Sequence, residues 1–191
     1  MKQLHIVTLI AALLLSVSLS AQESHLKFKG IPIDGNYVAF AQKLIQKGFK
    51  QMETTDYGVV LKGVFMATPD VMVTIHPDPA SKVVSCVTAS IDAGDNWTSI
   101  EQKYYQIVDT YKQKYGEPTA HQEEFNTHVD DDFDRLRAIR DNKCVYKSEW
   151  FVEGGGILIS LFYYQYTYYV ICSYMDEQNM MALKQSIIDD I

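Results

Sequence analysis

The chain has 191 residues, with 17 lysines and arginines against 24 aspartates and glutamates and a formal net charge of −7. That balance excludes nucleic acid and anionic membrane surfaces as electrostatic partners, because holding phosphates takes clustered Lys and Arg, and the basic residues here are scattered singly among acids. The length fits one domain or two small packed units, and three cysteines, an odd number, cannot all pair within the chain.

The first 21 residues read as an export signal. Met1-Lys2 supplies a positive charge, Ile6–Val17 is an apolar run broken only by Thr8 and Ser16, and Ser18–Gln22 offers small residues for cleavage. The run is shorter than the roughly 20 residues a bilayer span needs. Cleavage before Ala21 puts Ser18 and Ser20 at the recognition positions, and cleavage before Gln22 puts Leu19 and Ala21 there; both cuts remain open. With no cysteine near the cut, a lipid anchor is not expected. The remaining residues 22–191 then form one α+β domain, periplasmic or secreted, with 16 basic against 24 acidic residues and a net charge of about −8.

Leu26–Phe28 is a short strand, followed by a turn through Gly30-Ile31-Pro32-Ile33-Asp34-Gly35. A helix capped by Asp34 or Asn36 carries Val38, Ala41, Leu44 and Ile45 on one face and stops at Gly48. Three strands follow, Tyr57–Phe65, Val71–His76 and Val83–Ile91, punctuated by Pro and Asp turns. Asp95 or Asn96 opens a longer helix with a stripe of Trp97, Ile100, Tyr104, Ile107, Val108, Tyr111 and Tyr115, ended by Gly116 and Pro118. Residues 119–143 are less regular and hold a short helix with Phe133, Leu136 and Ile139. Three more strands, Cys144–Val152, Ile157–Tyr164 and Tyr168–Met175, lead to a final helix capped by Asp176, with Met180, Leu183, Ile187 and Ile188 at helical spacing.

Each half thus reads as a helix followed by three antiparallel strands, about 26–92 and about 95–191. The expected fold is a two-layer α+β protein of two pseudo-repeated helix-plus-three-strand units, with helices on one face of the sheet. Cys144 and Cys172 fall on the outer strands of the last meander, roughly 9–10 Å apart and too far to bridge, whereas Cys86 with either remains open.

Four stretches, His25–Gly35, Lys114–Pro118, Asp141–Tyr146 and Tyr174–Asn179, resemble a family of small exported proteins of Gram-negative gut anaerobes. That family's pattern is similar to the duplicated helix-plus-sheet architecture of beta-lactamase inhibitor protein. The resemblance implies a fold and a compartment; it implies no activity, cofactor or site residue.

Local motifs point to no chemistry. Gly154-Gly155-Gly156 joins two strands, whereas a phosphate loop must open a helix. Asp130, Asp132, Asp134 and Asp141 echo a calcium loop, but Arg135 replaces the required glycine and the bidentate Glu is missing. His121, Glu123, Glu124 and His128 match no helical ligand spacing. No metal or cofactor is expected. What stands out is the last meander, whose aromatics exceed what one covered face can bury. Trp150, Tyr146, Tyr164 and Tyr168 are the candidate binding residues of an aromatic-rich sheet face taking a protein or glycan of the cell envelope. The competing readings are cross-strand rings that only stabilise the sheet, and a small secreted hydrolase with an acidic site between the halves.

Overall fold

The computed structural model describes residues 24–55 and 58–189. The expected signal segment 1–21 and Tyr57 lie outside the described residues. A two-stranded ribbon, β1 (Lys27–Phe28) and β2 (Ile31–Pro32), precedes helix α1 (Tyr37–Gln46) and strands β3 (Lys50–Thr55), β4 (Gly58–Phe65), β5 (Thr68–Pro77) and β6 (Val84–Asp92). Helix α2 (Trp97–Tyr115), β7 (Ala120–Phe125), the short helix α3 (Asp132–Arg140), β8 (Cys144–Val152), β9 (Gly155–Tyr164), β10 (Thr167–Asp176) and α4 (Glu177–Asp189) complete the chain.

The eight long strands form one antiparallel sheet in the order β3-β4-β5-β6-β10-β9-β8-β7. β6 and β10, each the last strand of its half, pair at the centre from Cys86↔Met175 to Asp92↔Tyr169. Each half therefore contributes four strands where the sequence predicts three. The additional ones, β3 and β7, are the two edges, and their sequences KQMETT and AHQEEF carry charge where a buried strand would alternate. Charged, solvent-facing edges prevent further chains from adding to the sheet.

Local chemistry explains the helices. Asn36 accepts the Val38 N–H to start α1, Asn96 accepts the Ser99 N–H to start α2, and Asp131 accepts the Asp134 N–H to start α3. Asp132 and Asp134 in the first turn of α3, with Arg137 and Arg140 in its last, complement its macrodipole. Gly116, at φ 80°, provides the left-handed residue that ends α2.

Helices α1, α2 and α3 lie on one face of the sheet. Phe40, Ala41 and Leu44 of α1 join Val59, Leu61, Val73 and Ile75 of β4 and β5 in one continuous buried cluster, which extends to Ile100, Tyr104 and Ile107 of α2. Close packing fixes Gly63, where an added Cβ would come within 2.5 Å of the Phe49 ring. Helix α4 departs from expectation. Met180 and Leu183 are half-buried, but Ile187 and Ile188 are exposed, because the helix borders the strand ends instead of lying across the covered face. Among the described residues no helix is long and apolar enough to cross a membrane.

Candidate functional site

Beneath α2 lies a layer of aromatic rings. Trp97 packs edge-on against Tyr146 at 5.3 Å between centroids, Tyr104 meets Tyr146 at 5.5 Å, and Tyr111 meets Trp150 at 5.7 Å. Polar tips are satisfied within the layer: the Trp150 indole N–H donates to the Gly116 carbonyl at 2.9 Å, and the hydroxyls of Tyr104 and Ser148 lie 2.9 Å apart. Burial, the largest cause, pushes the Tyr104 phenol up to about 12.

This layer accounts for two of the four candidate binding residues. Trp150 is 2% exposed and Tyr146 8%, so both are packing residues sealed under α2. Tyr168 points to the same covered face, half-buried against Tyr163 at 4.8 Å, with its hydroxyl donating to the Leu136 carbonyl of α3. Tyr164 alone stands on the opposite face, 56% exposed. The structure therefore separates the four. A signal for this exists in β8 itself: Lys147 and Glu149 alternate with Tyr146, Ser148 and Trp150, and charged residues cannot lie under helices without partners. The side with Tyr146 and Trp150 had to be the covered one.

Among the described residues, α1, α2 and α3 leave the other face of the sheet open, and α4 borders it at the ends of β6, β9 and β10. Its central rows are small and hydroxylated: Thr74, Thr88 and Ser173 are aligned across β5, β6 and β10, and Thr88 Oγ1 lies 3.1 Å from Ser173 Oγ. Apolar groups concentrate at the two ends of the β9–β10 pair. At the β9–β10 turn, Phe162 and Tyr164 stack at 6.3 Å and 16°, and Tyr166 at the turn tip is 94% exposed. That turn has two residues, Gln165 and Tyr166, both left-handed at φ 47° and 66°. Such turns favour Asn-Gly, and a non-glycine residue there costs about 1 kcal/mol. At the opposite end of these strands, Phe151, Gly156 and Met175 align across β8, β9 and β10 and, with Met180 and Met181 of α4, line a groove of about 520 Å³. Tyr166 is one of the meander aromatics but not one of the four candidate residues read from the sequence; its signal is a tyrosine where a tight hairpin favours glycine.

The remaining candidates are accounted for by structure. Asp131 caps α3, while Asp132 and Asp134 pair with Arg135 and Arg137 at 2.7 and 2.8 Å. His121 contacts Ser148 Oγ at 2.9 Å and Glu123 at 3.1 Å, and His128 contacts Asp130. Among the described residues no three His, Cys, Asp or Glu side chains gather as metal ligands. Cys86, Cys144 and Cys172 are free thiols, held protonated by burial at pKa values of about 11, 12 and 12. Cys86 faces the helix-free side and Cys172 the covered side, which keeps them apart.

Comparison with protein-family models, with curated proteins and with solved structures finds no match to this chain.

Proposed function

We propose that this is an exported binding module that takes a protein of the cell envelope on the helix-free face of its sheet, with Phe162, Tyr164 and Tyr166 as the contact centre. The observation that carries this reading is the β9–β10 turn, which keeps a tyrosine in a left-handed conformation and displays it almost fully, beside two exposed stacked rings. Strain retained to present a side chain is a mark of a functional position. Exposed Tyr and Phe are the residue types that dominate interface energetics. Eight strands about 4.8 Å apart give a face about 34 Å wide, enough for the roughly 800 Å² that each partner buries in a standard protein interface. The strand order, with β6 and β10 joining two four-stranded halves, supports reading the fold as a duplicated unit of the kind suggested by the beta-lactamase inhibitor protein pattern.

The test is site-specific photocrosslinking in the source cells. A benzoylphenylalanine replacing Tyr164 should yield a discrete protein adduct, and the same group replacing Val38 on α1 should not. Tyr164→Ser with Tyr166→Ser should reduce capture of that partner at least tenfold. Equal crosslinking from Val38, undiminished capture by the double variant, or adducts to glycan alone would overturn the reading.

A further inference from the structure

A second site lies on the opposite side of the molecule, between its two halves. The C-terminal turn of α2, the tip of the β1–β2 ribbon and the β4–β5 turn enclose a cleft of about 420 Å³, within the range of small-molecule sites. Its walls include Phe65, Met66, Tyr115 and the ring faces of Tyr111 and Tyr174, whose hydroxyls bond to each other at the base. Lys27, Lys29 and Lys114 stand around it, and no carboxylate is among its lining residues.

That charge distribution runs against the rest of the chain. Acids outnumber bases, and Lys62, Lys112 and Lys147 each pair with a carboxylate at 3.0–3.1 Å. Among the described residues the three cleft lysines have no such pairing: Lys29 donates to the Val64 carbonyl at 3.4 Å, Lys114 lies 4.7 Å over the Tyr115 ring, and Lys27 lines the cleft without an ion pair. The carboxylate of Glu153 lines an adjoining recess with Lys27 and Lys114 but accepts from the Ser24 hydroxyl at 2.7 Å and lies outside the cleft. Three ammonium groups beside a low-dielectric wall create a local positive potential that attracts anions. The lip is a second strained turn, Met66-Ala67, both left-handed at φ 49° and 59°. It places a flexible thioether, suited to irregular apolar ligands, on the cleft wall.

We propose that this cleft binds a small amphiphilic monoanion, its acidic group held by Lys27, Lys29 and Lys114 and its apolar ring or chain lying against Phe65, Tyr111 and Tyr115. The walls are too apolar for a bare phosphate and the rim too basic for a neutral hydrocarbon. The site is independent of the helix-free face.

Fluorescence titration with 8-anilino-1-naphthalenesulfonate, compared with its uncharged counterpart N-phenyl-1-naphthylamine, separates charge from apolar burial. The purified protein should bind the sulfonate saturably at one site, weakened by 0.5 M salt and displaced by decanoate but not by decanol. Lys27→Gln, Lys29→Gln and Lys114→Gln together should weaken the sulfonate at least about tenfold and change the neutral probe less than twofold. All three lysines are exposed, so circular dichroism should be unchanged. Absence of sulfonate binding, retention within twofold in the triple variant, or parallel loss of both probes would overturn the assignment. So would loss of sulfonate binding on Phe151→Ser with Met181→Ser, which would place the probe in the groove on the other face.

Discussion

The imidazole Nδ1 of His25 lies 3.1 Å from both carboxylate oxygens of Asp176, tying the start of the described chain to the junction of β10 and α4. Asp176 is fully buried and also accepts the backbone N–H groups of Leu26 at 2.9 Å and Asn179 at 3.1 Å. Asn179 in turn donates to the carbonyls of Ile33 and Val84. Removing the carboxylate strands a buried N–H, so Asp176→Ala should cost about 3 kcal/mol in urea unfolding. A loss below about 1 kcal/mol would show that the N-terminal arm is held by something else.

Truncating the rings should separate packing from display. Trp150→Ala empties a site beneath α2 and should destabilise by about 3–5 kcal/mol, whereas Tyr164→Ala should stay within about 0.5 kcal/mol. Urea midpoints of the two variants, measured side by side, check this. Comparable losses would mean that Tyr164 packs against something on the helix-free face.

The contrast between these rings also shows what the sequence made readable. Helix positions followed from caps and apolar spacing, and the three strands of the last meander fall within a few residues of expectation because β8 alternates charged with aromatic residues and β9 and β10 carry apolar runs, all between Gly or polar turns. Alternation correctly set Tyr146 and Trp150 against Phe151 across β8. The edges β3 and β7 escaped because an edge strand is selected for charge, which erases the period of two. β9 escaped in another sense: ILISLFYY is apolar on both faces, so nothing in it says which face the helices take. Only the charges of β8, aligned with it, decide that.

The β9–β10 turn should be more stable without its tyrosine. Gln165→Asn with Tyr166→Gly supplies the residues that a two-residue left-handed hairpin turn favours and should raise stability by about 1 kcal/mol. Thermal melting of this variant beside the parent checks it. The same variant should lose partner capture, so that stability and binding move in opposite directions. A lowered melting temperature would mean that the Tyr166 ring contributes packing and is not retained for display.

The thiols should be slow to alkylate. Burial lifts Cys86 from 9.0 to about 11, with only a weak opposing bond from Thr88, so at neutral pH almost no thiolate is present on the helix-free face. Iodoacetamide at pH 7.5, followed by mass spectrometry, should modify Cys86 at least about tenfold more slowly than free cysteine. Cys172, fully buried, should react only after unfolding. Rapid native labelling of Cys172 would show that the β10 contacts with α2 open readily.

His76 gives the helix-free face a pH dependence. It is half-buried on β5, directly across from Cys86 on β6, and desolvation lowers its pKa from 6.5. The unfolded chain therefore binds this proton at a higher pH than the folded chain. Stability is complete above the unfolded value and declines as pH falls below 6.5 toward the folded one. In urea unfolding at pH 7.5 and 5.5, the parent should lose more stability than His76→Gln between the two conditions. A partner seated over the face would desolvate the imidazole further, so capture should weaken at lower pH, as pH falls below the value of the free folded protein, and lose part of that dependence in the variant. Identical pH profiles for parent and variant, in stability and in capture, would mean that the imidazole stays hydrated on this face.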